Sequence, residues 1–354
     1  MRGILLETFP TMGHAQFLSS ANQPSRHTAD ERHLGLLSVV IPCFNEADGL
    51  EKLLAALTPV LEGLTARHEI ILVDDGSRDA TFAVARQLSM TEPRVKALRF
   101  ARNFGKEAGI AAGLEHARGD AVVLMDADLQ HPPATIPEMV QRWQNGIDMV
   151  IAVRRDRATD SWLRRAASRT YYHLFEMMSE VRIPQGAGDF RLFDRRVVDA
   201  ILALPERNRF MKGITSWVGF RQECLPFDVG NRAAGRSAWN PLSLTRYAWD
   251  GVTSFSTVPL RIWSVLGTMI AGVAGAYGLW LLVRTLIFGI DLPGYASLMV
   301  SILFLGGIQL ISLGVLGEYV GRIFLEVKRR PMYLVADSIG LDGDPAAGRT
   351  EDPA

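Results

Sequence analysis

The chain has 354 residues, room for one large domain with additions or for two domains. Lys plus Arg and Asp plus Glu both number 38, so the formal net charge is zero, and with no basic-aromatic patch nucleic acid is excluded as a partner. Apolar residues make up 48% and gather toward the C-terminus, while the two cysteines, Cys43 and Cys224, form neither a CxxC pair nor a metal-ligand spacing and read as indifferent thiols in a reducing compartment.

Residues 1–34 mix polar, Pro and His residues. Their longest apolar run, Gly3-Ile4-Leu5-Leu6, is too short for a signal-peptide core, and a disordered tail is expected. From Ser38 to Val153, β-branched runs (Ser38–Ile41, Ile70–Val73, Val95–Arg99, Ala121–Met125, Met149–Val153) alternate with helical periodicity such as Leu50, Leu53, Leu54, Leu57 and Leu61. That alternation predicts an α/β fold with a mostly parallel, doubly wound sheet. Ligands of such sheets bind beyond the C-terminal strand ends, where this chain puts its polar residues.

Residues 154–240 are less regular, with many arginines and a loop at Gln185-Gly186-Ala187-Gly188-Asp189. Helices are expected near 160–180 and 195–203, and short strands near 217–229. Segment 241–260, with Leu242, Leu244, Tyr247, Trp249, Val252 and Phe255, reads as an amphipathic stretch on a membrane surface.

No charge lies between Arg261 and Arg284, nor between Asp291 and Glu318. Each stretch exceeds the roughly 20 residues that cross a bilayer. A transmembrane hairpin is expected, with helices at 261–288 and 293–321. Arg246 and Arg261 precede the pair, and Arg322, Lys328, Arg329 and Arg330 follow it, so both ends and the α/β domain are expected in the cytoplasm. Gly317 and Gly321 form a GxxxG that permits close helix approach. Residues 322–354 are expected to be a cytoplasmic tail.

The chemistry is expected in "VVLMDADLQHPP", residues 122–133. Asp126 and Asp128 are expected on the same side of an extended segment, where two like charges call for a cation unless they serve as a helix cap or a solvated loop. Hard oxygen ligands suit Mg²⁺ or Mn²⁺, and Gln130 can add a carbonyl oxygen. His131 reads as a solvent-facing loop histidine. In "IILVDDGS", Ser77 or Asp79 is expected to cap the next helix, leaving Asp74 or Asp75 to meet a base or ribose. No strand is followed by GxGxxG and no GxxxxGK[ST] occurs, so a metal rather than a glycine-rich loop is expected to hold a nucleotide diphosphate.

"VVIPCFNE", "ILVDDGSRD", "RNFGKEAGIAAGLEHARGD", "VLMDADLQHPP", "GDFRLFDRR" and "LPERNRFMKGITSWVGF" resemble, in order, the family 2 glycosyltransferases that act on polyisoprenyl phosphates. The likeness covers about residues 36–333. It is nearer to the bacterial bactoprenol-phosphate glucosyltransferases than to dolichol-phosphate mannose synthase. It implies a nucleotide-diphospho-sugar transferase (GT-A type) domain at 35–240. It also implies a nucleoside pocket from Pro42, Phe44, Glu46 and Asp74, with Asp75, Lys106 and Ala127 on the donor. Asp126, Asp128 and Gln130 would surround the metal, Asp128 and Asp189 serve catalysis, and Arg154 and Arg169 meet the lipid phosphate. Arg232 and Ser237 would close on the donor. In that segment the family usually has Ser-Lys, whereas here Ala238 follows Ser237 and Arg236 is the nearby charge.

The resemblance further implies transfer of one sugar to undecaprenyl phosphate, with UDP-glucose favoured over other UDP-sugars or a GDP-sugar as donor, in the bacterial plasma membrane and as a homotetramer; direct displacement predicts inversion. A phosphate monoester, with a second pKa of about 6, is already mostly dianionic at neutral pH, so Asp189 would orient rather than abstract. A processive polysaccharide synthase would need Q-x-x-R-W, and Gln141-Arg142-Trp143 lacks the spacer. A non-catalytic membrane scaffold would not need Asp126, Asp128 and Asp189.

Overall fold

The computed structural model describes residues 32–65, 67–155, 187–207, 209–228, 258–288 and 294–341. The expected helix near 160–180 and the amphipathic stretch at 241–260 lie outside them.

Strand β1 (Leu37–Cys43) is buried along almost its whole length, as a strand covered on both faces must be. Helix α1 (Ala47–Leu64) buries the predicted stripe of Leu50, Leu53, Leu54, Leu57 and Leu61. There follow β2 (His68–Asp74), α2 (Thr81–Thr91), β3 (Val95–Phe100), α3 (Lys106–His116), β4 (Ala121–Leu124), α4 (Ile136–Gln144) and β5 (Met149–Arg154). Further on come β6 (Ala187–Asp194), α5 (Arg195–Ala203), α6 (Met211–Trp217) and β7 (Gln222–Phe227). Two long helices, α7 (Val258–Phe288) and α8 (Tyr295–Val327), precede a last strand, β8 (Val335–Ile339).

Among the described residues, eight strands form one sheet in the order β7-β5-β6-β4-β1-β2-β3-β8. All run parallel except β6, which lies antiparallel between β4 and β5, and β8, antiparallel to β3. The mostly parallel sheet is therefore as expected. One face is covered by the α1 leucines with Ile136, Met139 and Trp143, the other by Ile110, Leu114, Val197, Val198 and Ile214. Helix α3 lies so close to the sheet that a Cβ on Gly113 would come within 2.1 Å of Val40 Cγ1. That approach sets the N-terminal end of α3, and with it Lys106, over the strand ends.

Three segments depart from the reading of the sequence. The expected loop around 185–189 runs into β6. Phe190, Leu192 and Phe193 drive it inside, and Arg191, 2% exposed, rides along because its guanidinium donates to Gly188 O at 3.0 Å and to Thr215 Oγ1. Past Arg322 the chain stays helical to Val327 and then returns as β8 to the edge of β3. At the other end, Arg32 of the expected tail is tied to the domain. Arg32 Nη2 pairs with Asp148 Oδ1 at 2.7 Å and Nη1 donates to Ile147 O at 2.9 Å.

Helices α7 and α8 touch each other and otherwise turn large apolar side chains outward, among them Val273, Leu286, Leu310 and Ile323. Among the described residues, one helical segment, Phe304–Val327, is long and apolar enough to cross a membrane. Val265–Trp280 is an apolar stretch of shorter length.

Candidate active site

The site is built on the C-terminal edge of the sheet, where β1, β2, β4 and β5 end. Beyond β4, Met125 N still bonds to Val40 O, and then the chain turns. Leu129 takes φ 62°, a left-handed conformation that a branched side chain adopts only when its surroundings enforce it. The turn is closed by Gln130 N donating to Asp128 Oδ1 at 3.0 Å.

His131 does not face solvent as expected; it is 4% exposed. Its ring stacks on Phe190 at 4.9 Å and meets the Phe227 ring edge-on at 6.0 Å. Nδ1 accepts from Asp126 N at 3.0 Å, so the remaining proton sits on Nε2. Burial lowers the pKa of the imidazole despite the opposing pull of Asp126, which keeps it neutral. Two aromatic side chains supplied by β6 and β7 turned this residue inward, and nothing local in the sequence marks them.

The question of what compensates the acidic pair has a first answer within the chain. Lys106 Nζ lies 2.5 Å from Asp126 Oδ1 and 2.6 Å from Asp189 Oδ2. Burial works against the charge on Lys106, but Asp189 and then Asp126 outweigh it and raise its pKa above the ordinary lysine value. Burial likewise opposes ionisation of Asp189, yet Lys106 and then Lys212 hold its carboxyl well below the usual range. Beside them burial, helped by the Asp189 charge, pushes Glu107 up to about 7. Glu107 accepts from Met211 N at 3.3 Å, which ties α3 to α6. Glu107, Lys212 and Arg191 were not singled out from the sequence. Only the contact of β6, α3 and α6 brings them together.

The acidic pair after β2 divides its work. Asp75 is consumed by the backbone, accepting from Phe104 N at 2.6 Å and Gly105 N at 2.9 Å. Its carboxyl is raised by burial against those two bonds. The intervening turn needs Gly76, at φ 65°, because a Cβ there would meet the Arg102 carbonyl carbon at 2.5 Å. Asp74 accepts from Ser77 N through Oδ1, while its buried Oδ2 has no hydrogen-bond partner among the described residues, with Arg99 Nε 3.6 Å away as an ion-pair partner. Asp79, rather than Ser77, supports the start of α2 by accepting from Thr81 N; Ser77 Oγ instead receives Asn45 N. That bond braces the loop carrying Phe44, 42% exposed, and Glu46 at the end of β1.

Arg154, exposed at the end of β5, reaches the same edge and donates through Nη2 to Gln130 Oε1 at 2.9 Å. The structure thus brings together Asp126, Asp128, Gln130, Lys106, Asp189 and Arg154, with Pro42, Phe44, Glu46, Asp74, Asp75 and Ala127 along the adjoining strand ends. Arg169, Arg232, Ser237, Arg236 and Ala238 lie outside the described residues. Gln141-Arg142-Trp143 is committed to packing. Arg142 pairs with Glu138 and Glu223, and Trp143 Nε1 donates to Asp194 Oδ2 at 2.8 Å.

Among the described residues, no three His, Cys, Asp or Glu side chains cluster as a metal cage. Two part-exposed carboxylates with an amide oxygen nearby are a different donor set. It is all oxygen, open on one side, and of the kind Mg²⁺ and Mn²⁺ use when substrate phosphates complete the shell. The residues present fit such an ion.

A mostly parallel sheet with an acidic loop at its carboxyl edge and no glycine-rich phosphate cradle defines a nucleotide-sugar transferase of GT-A type. The sequence profile described as glycosyl transferase family 2 matches residues 38–202. An uncharacterized glycosyltransferase, sll0501, of Synechocystis sp. is 49% identical over 86% of this chain and 96% of its own. The bactoprenol glucosyl transferase of Shigella phage SfII is 46% identical over 85% of this chain and 98% of its own. The putative glycosyltransferase CsbB of Bacillus subtilis is 42% identical over 86% and 92%. The chain belongs to glycosyl transferase family 2 and is a glycosyltransferase.

Proposed function

We propose that this protein transfers one glucose from UDP-glucose to a membrane polyprenyl phosphate such as undecaprenyl phosphate, with inversion. One observation carries the reading: the acidic loop, Arg154 and the foot of α8 share one edge of the sheet. Helix α8 reaches that edge through Glu326, whose Oε1 accepts from Arg207 N at 3.0 Å, and Val335 then pairs with Phe100 at the end of β3. A lipid phosphate at a bilayer surface would meet the site from that side. The names of the bactoprenol glucosyl transferases support the same acceptor and sugar.

In this reading Asp74 Oδ2 accepts an N–H of the base, and Pro42, Phe44 and Glu46 line the nucleoside pocket. Asp126, Asp128 and Gln130 would hold Mg²⁺ or Mn²⁺, which supplies neutralisation of charge on the departing diphosphate. Lys106 and Ala127 lie on the donor side. Arg154 and Arg169 position the acceptor phosphate, which needs no general base, and Asp189 orients the reacting groups. Arg232 and Ser237 close on the donor, with Arg236 standing in for the charge missing at Ala238. Direct displacement turns an α-linked donor into a β-linked product.

The same reading makes α7 and α8 a two-helix hairpin in the bacterial plasma membrane with the catalytic domain in the cytoplasm. Their lengths of 31 and 33 residues exceed the bilayer core, leaving turns to reach the domain. Open faces at Gly317 and Gly321 suit a homotetramer. The test is incubation of the purified protein with radiolabelled UDP-glucose, Mn²⁺ and undecaprenyl phosphate, followed by mass analysis of the lipid product and NMR of its anomeric linkage. A single β-linked hexose on the lipid phosphate is expected. A polymer, an α-linked product or no lipid product overturns the reading.

A further inference from the structure

We infer that Lys106 is a resident counter-ion that competes with the divalent cation for Asp126. The metal is thereby admitted together with the donor diphosphate rather than before it. The inference rests on the proposed role of Asp126 and Asp128 as metal ligands. Its own evidence is the bridge: one ammonium lies 2.5 Å from Asp126 and 2.6 Å from Asp189, the first in the metal loop, the second on β6.

The electrostatics of that bridge set the order of events. A dication binding beside Asp126 meets a unit positive charge already paired with one of its two carboxylates. Like charges within a few ångströms repel strongly where water is partly excluded. Asp126 is 29% exposed and Lys106 42%, so the repulsion is screened but not abolished. A nucleoside diphosphate changes the balance. It completes the metal shell with phosphate oxygens, and it offers Lys106 new acceptors. An ammonium has three donors, so Lys106 can keep Asp189 and turn from Asp126 to the donor phosphate. Without donor, Lys106 holds the metal loop and β6 together and keeps Asp126 from standing as an uncompensated charge.

The anchoring is built for such exchange. Lys106 is the first residue of α3, whose backbone is fixed against β1 at Gly113 and whose preceding loop is held by Asp75. Only the flexible side chain needs to move.

The test is Mn²⁺ binding measured by electron paramagnetic resonance, with and without UDP, on the full-length protein and on Lys106→Met and Lys106→Arg. The wild-type protein is expected to bind Mn²⁺ alone weakly and with UDP tightly. Lys106→Met is expected to bind Mn²⁺ alone roughly tenfold more tightly, the scale of one removed like charge at a part-exposed site. Lys106→Arg, which keeps the charge, is expected to resemble the wild type. If Lys106→Met binds no tighter, or Lys106→Arg binds as tightly as Lys106→Met, the inference falls while the metal reading stands. If Mn²⁺ binds no form even with UDP, both fall. A measurement on the wild type alone guards against a misfolded variant. Saturating Mn²⁺ is expected to speed acetylation of Lys106, followed by peptide mass spectrometry, and an unchanged or slower rate overturns the inference.

Discussion

Arg154 and Gln130 are joined across the strand ends, Nη2 to Oε1 at 2.9 Å, so the arginine expected to meet the acceptor rests on the loop expected to hold the metal. Arg154→Ala should raise KM for polyprenyl phosphate with little change in KM for the sugar donor. Because the side chain is exposed, melting should move by no more than about 0.5 kcal/mol in stability. Steady-state kinetics with each substrate varied in turn, beside a thermal melt, checks both halves.

On the proposed reading, in which Asp128 holds the divalent ion, Asp128→Ala should lower transfer by on the order of 10²-fold or more, since the leaving diphosphate would lose a ligand of its counter-charge. On the same reading, which puts α7 and α8 in the membrane, the variant should still sediment with membranes, because Asp128 lies on the loop after β4, far along the chain from both helices. Product formation and a membrane pelting assay on the same preparation separate the two effects. Full activity would refute the assignment of this residue.

Glu107 supplies a pH signature. Burial and the neighbouring Asp189 push it up to about 7 from an ordinary 4.5, so the unfolded chain loses this proton first as pH rises. The stability linked to the protonated carboxyl is therefore complete below about 4.5 and lost as pH climbs to about 7. Glu107→Gln keeps an oxygen for Met211 N and removes the titration. The stability of wild type minus variant should fall across that window, read by chemical denaturation at a series of pH values. A flat difference would show that Glu107 is not held protonated beside Lys106, Lys212 and Asp189.

His131→Phe separates stacking from hydrogen bonding. The ring on Phe190 is kept, but Asp126 N loses its acceptor, at a cost of about 1 kcal/mol. Transfer should fall further than that loss of stability alone explains, because the Asp126 carboxylate hangs on the same peptide. Denaturant unfolding and initial rates at saturating substrate measure the two quantities.

The strands that carry uninterrupted β-branched runs were legible in the sequence, because a buried parallel strand has no reason to alternate. Strand β6 was not. Asp189 and Arg191 interrupt it, and their charges are tolerated only through Lys106, Lys212 and Thr215 from other elements. Strand β8 was hidden for another reason. Val335-Ala336-Asp337-Ser338-Ile339 has little hydrophobic drive of its own and takes its form from the edge of β3. The acidic loop could be singled out from the spacing of Asp126 and Asp128 only together with the polar residues at the other strand ends and the family resemblance. That Asp74 keeps an oxygen without a hydrogen bond among the described residues while Asp75 is spent on a turn could not, since the two stand side by side at the end of the same strand. The bridging role of Lys106 is a relation through space among three segments, and a one-dimensional pattern does not hold it.

The return of the chain after α8 has a practical consequence. Tyr333 stacks on Phe100 at 4.8 Å and its hydroxyl donates to Glu115 at 2.6 Å, Ala101 N bonds to Leu334 O, and Arg86 pairs with Asp337. An expression fragment that stops before Val258, chosen to avoid detergent, would discard all of these and leave one side of Val95–Phe100 with bare amide and carbonyl groups. Such an open margin recruits other chains. Fragments prepared for crystallography should gain solubility when a peptide spanning 331–341 is fused behind the domain by a glycine-serine tether.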